Sequence, residues 1–299
     1  MRDKLTIGVV NMQARAGQTT ENVEKMCAFV EEAAKKNVEM LLFPELCMQG
    51  YDFFVDARIS FAEKHKKGET LAGESCTRLS NLAVQHQMYI TFGMAERTEE
   101  KLYNAAVTVT PDGAKERYRK IHPFDAENTA FAKGEQPCLI NTPFGPVGIG
   151  ICYDTYQFPE LMRYYTYHGA RLYLNPTAVV EEREKEGSKK AFLRYYKPTL
   201  EYGVLANTIY VASANLTKED TINYFGGGSV VIGPAKTDFF ETDVQVYAGD
   251  YESAKEGVFV AEIDLSLATR RIFTENKFSN EADYRPQLYQ TWWENKKEG

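Results

Sequence analysis

Short apolar runs alternate with stretches of helical spacing along most of the chain. Residues 5–12, LTIGVVNM, form a β-branched run that reads as a strand. From 20 to 36, Val23, Met26, Cys27, Val30, Ala33 and Ala34 recur along one helix face, with Glu21 and Glu24 near the start, where the helix dipole favours acids. VEMLLFP (38–44) predicts a strand that Pro44 stops. Helix is expected again over 75–86 and strand over 88–95. Pro111-Asp112-Gly113, between LYNAAVTVT and AKERYRK, marks a hairpin turn. An apolar strand then runs up to Cys152, followed by a helix over about 158–168 and a strand over 171–176. A longer helix fits about 188–206, a strand 208–215, and GGGSVVIGP (226–234) opens hairpin-like segments that continue to about 264.

Crossovers of the βαβ kind and antiparallel hairpins coexist in this pattern. Together they imply an α/β protein with mixed sheets and helices on the outside, not a purely parallel doubly wound sheet. No linker, low-complexity tract or fixed-period repeat interrupts it, so one domain over 1–272 is expected. Residues 273–299 carry no clear period and end in WWENKKEG. They read as a tail, either free or lying as an arm on a partner subunit.

Composition narrows the class. With 43% hydrophobic and 13% aromatic residues, the 299-residue chain can bury a large core. No apolar stretch approaches the ~20 residues of a membrane span, and the N-terminus enters a strand pattern without a signal-peptide cleavage site. Five cysteines (27, 47, 76, 138, 152) show no CxxC spacing and leave an odd one over, which points to a reduced, cytoplasmic setting. A net charge of −7 argues against a nucleic-acid partner. The short basic run Lys64, Lys66, Lys67 reads as a solvated face.

Three stretches place a reactive side chain at the end of an apolar strand: LLFPELCMQGY gives Glu45, ERYRKIHPF gives Lys120, and GIGICYD gives Cys152. Strand ends of α/β sheets are where sites gather. A free thiol is mostly protonated near neutrality and needs a base or a positive neighbour to attack a carbonyl carbon. Glu45 suits the base, Lys120 a stabiliser of the oxyanion, and the Tyr153 N–H a second oxyanion donor at the start of a turn into a helix. Each also has a plainer reading. Cys152 fits a core position, Glu45 a helix-start acid, and Lys120 a surface charge on an exposed hairpin. Spacing alone leaves the choice open.

The order Glu, Lys, Cys in these three contexts resembles the nitrilase superfamily of carbon–nitrogen hydrolases. FPE at 43–45 with GY at 50–51 is one signature, and LYNAAVTVTPDGAKERYRKIHPF is similar to the segment leading to that family's catalytic lysine. GIGICYD followed by FPEL is similar to its nucleophile elbow, and GARLYLNPTA, NTIYVASAN and GGGSVVIGP match later strands. The resemblance spans roughly residues 4 to 270.

What the resemblance implies is a four-layer α-β-β-α sandwich with two mixed sheets and a Glu–Lys–Cys site. Cys152 is then the nucleophile, Glu45 the general base and acid, and Lys120 the oxyanion stabiliser. Glu127, in KIHPFDAEN, matches a second glutamate of the family. The implied reaction converts a small amide to an acid and ammonia through a thioester. Neither metal nor organic cofactor is implied, and a homodimer or higher homo-oligomer is expected through the helices around the elbow. His122 and Asp154 are expected to organise structure, not to do chemistry.

CYD…FPEL sits nearer the family's amidases than its true nitrilases. CYDTYQFPE is one residue longer than the omega-amidase-like pattern, with Gln157 where a basic residue would fall. That weakens the expectation of a carboxylate-bearing substrate, unless Arg183 or Arg194 supplies the charge. EEREKEGSKK (181–190) reads as a solvated loop and helix start, or as a lid. Tyr51, Tyr153, Tyr156 and Gln157 are the candidate substrate contacts, and tyrosines in general suit a neutral or aromatic amide. N-carbamoyl compounds, nitriles, and a catalytically silent binding protein on the same fold are the alternatives.

Overall fold

A computed structural model describes residues 1–181, 188–238 and 240–294. In chain order the first part runs β1 (Lys4–Asn11), α1 (Thr19–Lys35), β2 (Met40–Leu42), α2 (Tyr51–Val55), α3 (Phe61–Lys67), α4 (Glu74–His86), β3 (Tyr89–Arg97), β4 (Leu102–Val109) and β5 (Lys115–Arg119). Next come β6 (Leu139–Thr142), β7 (Gly145–Ile149), α5 (Tyr153–Gln157), α6 (Pro159–Tyr167), β8 (Leu172–Thr177), β9 (Val180–Glu181) and α7 (Ser188–Asn207). The last elements are β10 (Tyr210–Asn215), β11 (Thr217–Glu219), β12 (Tyr224–Gly226), β13 (Val230–Pro234), β14 (Thr242–Tyr247), β15 (Gly257–Asp264) and α8 (Pro286–Glu294).

Two six-stranded sheets form the frame, in the orders β15-β1-β2-β3-β4-β5 and β14-β13-β10-β8-β7-β6. Each has a parallel centre, β1-β2-β3 and β7-β8-β10, flanked by antiparallel strands. The sheets face each other through β1, β2 and β10; α1 and α4 cover the outside of the first, α6 and α7 the outside of the second. This is the four-layer α-β-β-α sandwich with mixed sheets. The period of two explains it at β2: Met40 and Leu42 join the core between the sheets, while Leu41 and Phe43 join the core under α1 and α4.

Three features differ from the sequence reading. β13 and β14 do form a hairpin, but β15 leaves it and pairs antiparallel with β1 in the other sheet. An edge strand arriving from the far end of the chain carries no local turn signal. Lys64 is buried on α3, not solvated, whereas Lys66 is exposed. The tail is not without order: it turns back so that Tyr284 meets Tyr167 of α6, ring centroids 6.0 Å apart, and ends in α8 with Trp292 and Trp293 exposed. Short α2 and α3 went unread because five and seven residues give too little periodicity.

Candidate active site

Glu45 is delivered by a tight turn out of β2. Gly93 on β3 lies directly beneath it; a Cβ there would fall 2.3 Å from the Leu46 nitrogen and 2.6 Å from the Glu45 Cα. Only glycine admits that approach, and its N–H donates to the Pro44 carbonyl at 3.1 Å. The Glu45 N–H donates across the sandwich to the Thr177 carbonyl at the end of β8 (3.3 Å). The site therefore sits where β2 and β8 end.

Lys120 follows β5 directly. Its N–H donates to the Asn104 carbonyl on β4 (2.8 Å), and its own carbonyl accepts from Gly134 (2.8 Å). Arg119, one residue earlier, is pinned through Nε and Nη2 to the buried Glu96 carboxylate at 2.7 and 2.8 Å. The lysine side chain is wholly buried between two carboxylates: Nζ lies 2.7 Å from Glu45 Oε1 and 2.9 Å from Glu127 Oε1. Glu127 comes from a single 3-10 turn, Asp125–Thr129.

Cys152 sits on a strained elbow between β7 and α5, with φ 50° and ψ −105°. That lies outside the left-handed helical well as well as the common regions, at a cost of roughly 1–3 kcal/mol. Its surroundings over-determine it. The Cys152 N–H donates to the Pro176 carbonyl and to Asn175 Oδ1, both at 3.0 Å. Asp154, buried, accepts from the Ile151 N–H (3.2 Å), the Tyr118 hydroxyl (2.8 Å), the His122 N–H (3.0 Å) and His122 Nδ1 (2.8 Å). Nδ1 faces a carboxylate, so it carries the proton. The His122 ring stacks on Phe158. His122 and Asp154 thus tie the segment after Lys120 to the elbow.

The buried charges do not balance by themselves: two carboxylates share one ammonium. Four donors serve Glu127, namely Tyr51 Oη (2.8 Å), Lys120 Nζ, Asn104 Nδ2 (3.3 Å) and the Phe124 N–H (3.2 Å). Glu45 has two, Lys120 Nζ and Asn104 Nδ2 (2.7 Å), both on Oε1. Its Oε2 is buried and has no hydrogen-bond partner among the described residues. Burial, only partly offset by Lys120, pushes the Glu45 carboxyl up to about 7. Burial also raises the Cys152 thiol, as does the Glu45 carboxylate, against the pull of Lys120 and a hydrogen bond to Thr177. For Lys120, burial works against charge, but Glu127 and Glu45 outweigh it and hold the ammonium well above the usual lysine range. The resting arrangement is a neutral thiol beside a carboxyl that titrates near neutrality.

Glu45, Lys120, Glu127 and Cys152 thus converge in one place. Tyr51 reaches Glu127. Tyr153 is half-buried beside Cys152, its ring 5.0 Å from Phe124 and 5.4 Å from Phe158. Tyr156 is buried behind the elbow, donating to Thr177 Oγ1 (3.0 Å) and accepting from Asn175 Nδ2 (2.9 Å). Gln157 is exposed and donates to the Tyr195 hydroxyl (3.0 Å). Arg194 is exposed, and Arg183 lies outside the described residues, as does most of 181–190. Asn104 escaped the sequence reading, although a polar residue inside the apolar run LYNAAVTV was a signal. Among the described residues no cluster of His, Cys, Asp and Glu has the makings of a metal site, and no helix is long and apolar enough to cross a membrane.

Comparison with known proteins shows the family and the fold. The carbon-nitrogen hydrolase family matches residues 6–272. A probable nitrilase of Schizosaccharomyces pombe is 30% identical over 296 residues, covering 96% of this chain and 97% of its own. An omega-amidase of Homo sapiens is 29% identical over 229 residues, 72% of this chain and 76% of its own. An amidase from Nesterenkonia sp. shares the fold with a TM-score of 0.73 at 23% identity, covering 98% of both chains. The chain belongs to the carbon-nitrogen hydrolase family, within the nitrilase superfamily, and is an enzyme acting on carbon–nitrogen bonds.

Proposed function

We propose that the enzyme hydrolyses small neutral amides to carboxylic acid and ammonia through a thioester on Cys152. The observation that carries this reading is Glu45: Oε1 is held by two donors while Oε2 is buried and open. The Cys152 sulfur attacks the carbonyl carbon as Glu45 Oε2 takes the thiol proton, and the carbonyl π pair moves to oxygen. Lys120 has three N–H bonds, of which the two carboxylates engage two; the third and the Tyr153 N–H meet the oxyanion. The C–N bond then breaks as Glu45 returns the proton to nitrogen, and ammonia leaves. Water enters, Glu45 takes one of its protons, and hydroxide adds to the thioester. The C–S bond breaks, the sulfur recovers its proton from Glu45, and the acid departs. Glu127 keeps Lys120 aimed throughout.

Charge preference follows from the side chains packed beside Cys152. Tyr153, Tyr195, Phe124 and Phe158 are neutral rings, and Gln157 offers hydrogen bonds without charge. A substrate carboxylate buried there unpaired costs several kcal/mol. Neutral primary amides are therefore expected to exceed their ω-carboxylate analogues in kcat/KM by about tenfold or more. The test is a screen of matched amides, N-carbamoyl compounds and nitriles, read by kcat/KM, by products and by acyl mass on Cys152. Carbon dioxide released with ammonia would mark a carbamoyl hydrolase instead, and a nitrile consuming two waters a nitrilase. A preference for the carboxylate would overturn the reading and implicate Arg183 or Arg194.

We propose further that the protein works as a homodimer in a reducing, cytoplasmic compartment. Tyr164 and Tyr167 on α6 and Tyr202 and Leu205 on α7 are exposed together around the elbow helices, and the tail borders them through Tyr284. Light scattering should return twice the 34.0 kDa chain mass, and Tyr202→Asp should shift it toward one; a wild-type monomer would end this reading. All five cysteines are free thiols, so isolation of a secreted form with paired cysteines would end the compartment assignment.

A further inference from the structure

Asn104 stands among the reacting groups without an assigned part. It lies on β4 opposite Ala95 of β3, almost wholly buried. Its carbonyl accepts the Lys120 N–H, while its side-chain nitrogen donates to Glu45 Oε1 at 2.7 Å and to Glu127 Oε2 at 3.3 Å. Between two carboxylates the amide has to present its NH2 group, since its oxygen would face two anionic oxygens. The consequence is that Asn104 Oδ1 is left buried without a hydrogen-bond partner among the described residues. An unsatisfied buried acceptor weakens a fold. An apolar side chain, like those of Ala105 and Ala106 beside it, would serve the strand alone better.

We propose that Asn104 is a positioning residue of this site: its amide bridges Glu45 and Glu127, occupies Glu45 Oε1, and so confines the mobile proton of the cluster to Glu45 Oε2. The inference rests on the proposed role of Glu45 as proton carrier. Two donors on one oxygen, one from Asn104 and one from Lys120, leave that oxygen no open direction toward a thiol, an amine or a water. The free oxygen then always carries the transfer, so the same atom serves acylation and deacylation. Asn104 also supplies one of the two contacts that favour the carboxylate form of Glu45 against burial.

The groups facing Glu45 are few and set the titration. Lys120 comes from the end of β5, Glu127 from the 3-10 turn, Cys152 from the elbow and Tyr51 from α2. Asp154 acts on Lys120 from α5. Removing the Asn104 donor leaves all of them in place. Glu127 loses only the longer of the two Asn104 contacts and keeps three other donors, whereas Glu45 loses one of its two and shifts toward the protonated form.

The experiment is the pH profile of kcat/KM for wild type, Asn104→Leu and Asn104→Ser. Wild type is expected to lose activity on the acid side with a limb near pH 7. Asn104→Leu, close in shape but without a donor, should move that limb up by about one pH unit, so that a roughly fivefold loss at pH 7 is largely regained well above it. Asn104→Ser keeps one hydroxyl donor and should move it less; it carries the comparison if the leucine variant does not fold. A loss of activity with the limb unmoved in the folded variants would make Asn104 a structural residue and overturn the inference. A wild-type profile with no acid limb near pH 7 would overturn the reading of Glu45 itself, and this inference with it.

Discussion

Cys152→Ala should abolish turnover while the protein stays folded. Removing a covalent nucleophile costs on the order of 10⁴-fold or more, because the remaining groups act only through it. The fold should tolerate the change. The elbow is held by main-chain bonds from Cys152 and by Asp154, neither of which needs the sulfur. Alanine is as unsuited as cysteine to φ 50°, so the elbow strain is unchanged. Residual turnover above ~1% of wild type would sink the assignment. Iodoacetamide gives the independent reading. Cys27, Cys47 and Cys76 are buried, and burial pushes the partly exposed Cys138 up to about 11. Cys152 is raised as well, yet it has a base beside it. Labelling should therefore fall first on Cys152, and its rate should climb as pH rises through about 7, where Glu45 becomes free to take the proton. A flat rate across that range would mean that the thiol reacts without Glu45.

Much of this arrangement was legible in the chain, for particular reasons. Glu45, Lys120 and Cys152 each end an apolar run, and a strand end is where a side chain can leave the sheet while its backbone stays fixed. The outer helices α1, α4 and α7 were legible because each presents a long apolar face. β15 was not, since an edge strand whose pairing with β1 runs from Asn11↔Gly257 to Lys4↔Asp264 leaves no local mark. Periodicity also missed α5, which precedes the helix read from about 158. The five residues of α5 are set by the elbow and by Asp154, not by a hydrophobic repeat. Asn104 went unread for a different reason. Its importance lies in two carboxylates that come from positions 59 residues before it and 23 after it, and no window along the chain holds all three.

Glu45→Gln should collapse acylation and deacylation together, because one oxygen is proposed to serve both. Glutamine keeps the shape and can still accept from Lys120 at the position of Oε1, but it has no basic oxygen to take a proton. The loss should exceed the 10²–10⁴-fold usual for a single general acid–base group, since every proton transfer in the proposed cycle runs through this residue. A small loss would overturn the mechanism, whereas a silent Glu127→Gln would touch only the part given to Glu127. Stability supplies the control, and its sign is fixed by the direction of the shift. The Glu45 carboxyl is raised to about 7 in the fold from an ordinary value of 4.5. The folded state thus holds the proton more firmly than the unfolded chain does. The contribution to stability is fully present below about 4.5 and is lost as pH rises through about 7. At pH 8 the wild type keeps an ionised carboxylate in a dry site, with a second one beside it. Glutamine removes that charge, while Glu127 still pairs with Lys120. The inactive variant should therefore melt no lower than wild type at pH 8, and should show the smaller fall in Tm between pH 5 and pH 8. A variant that is both dead and markedly less stable at pH 8 would mean that Glu45 is held for structure, as the partner of a buried lysine.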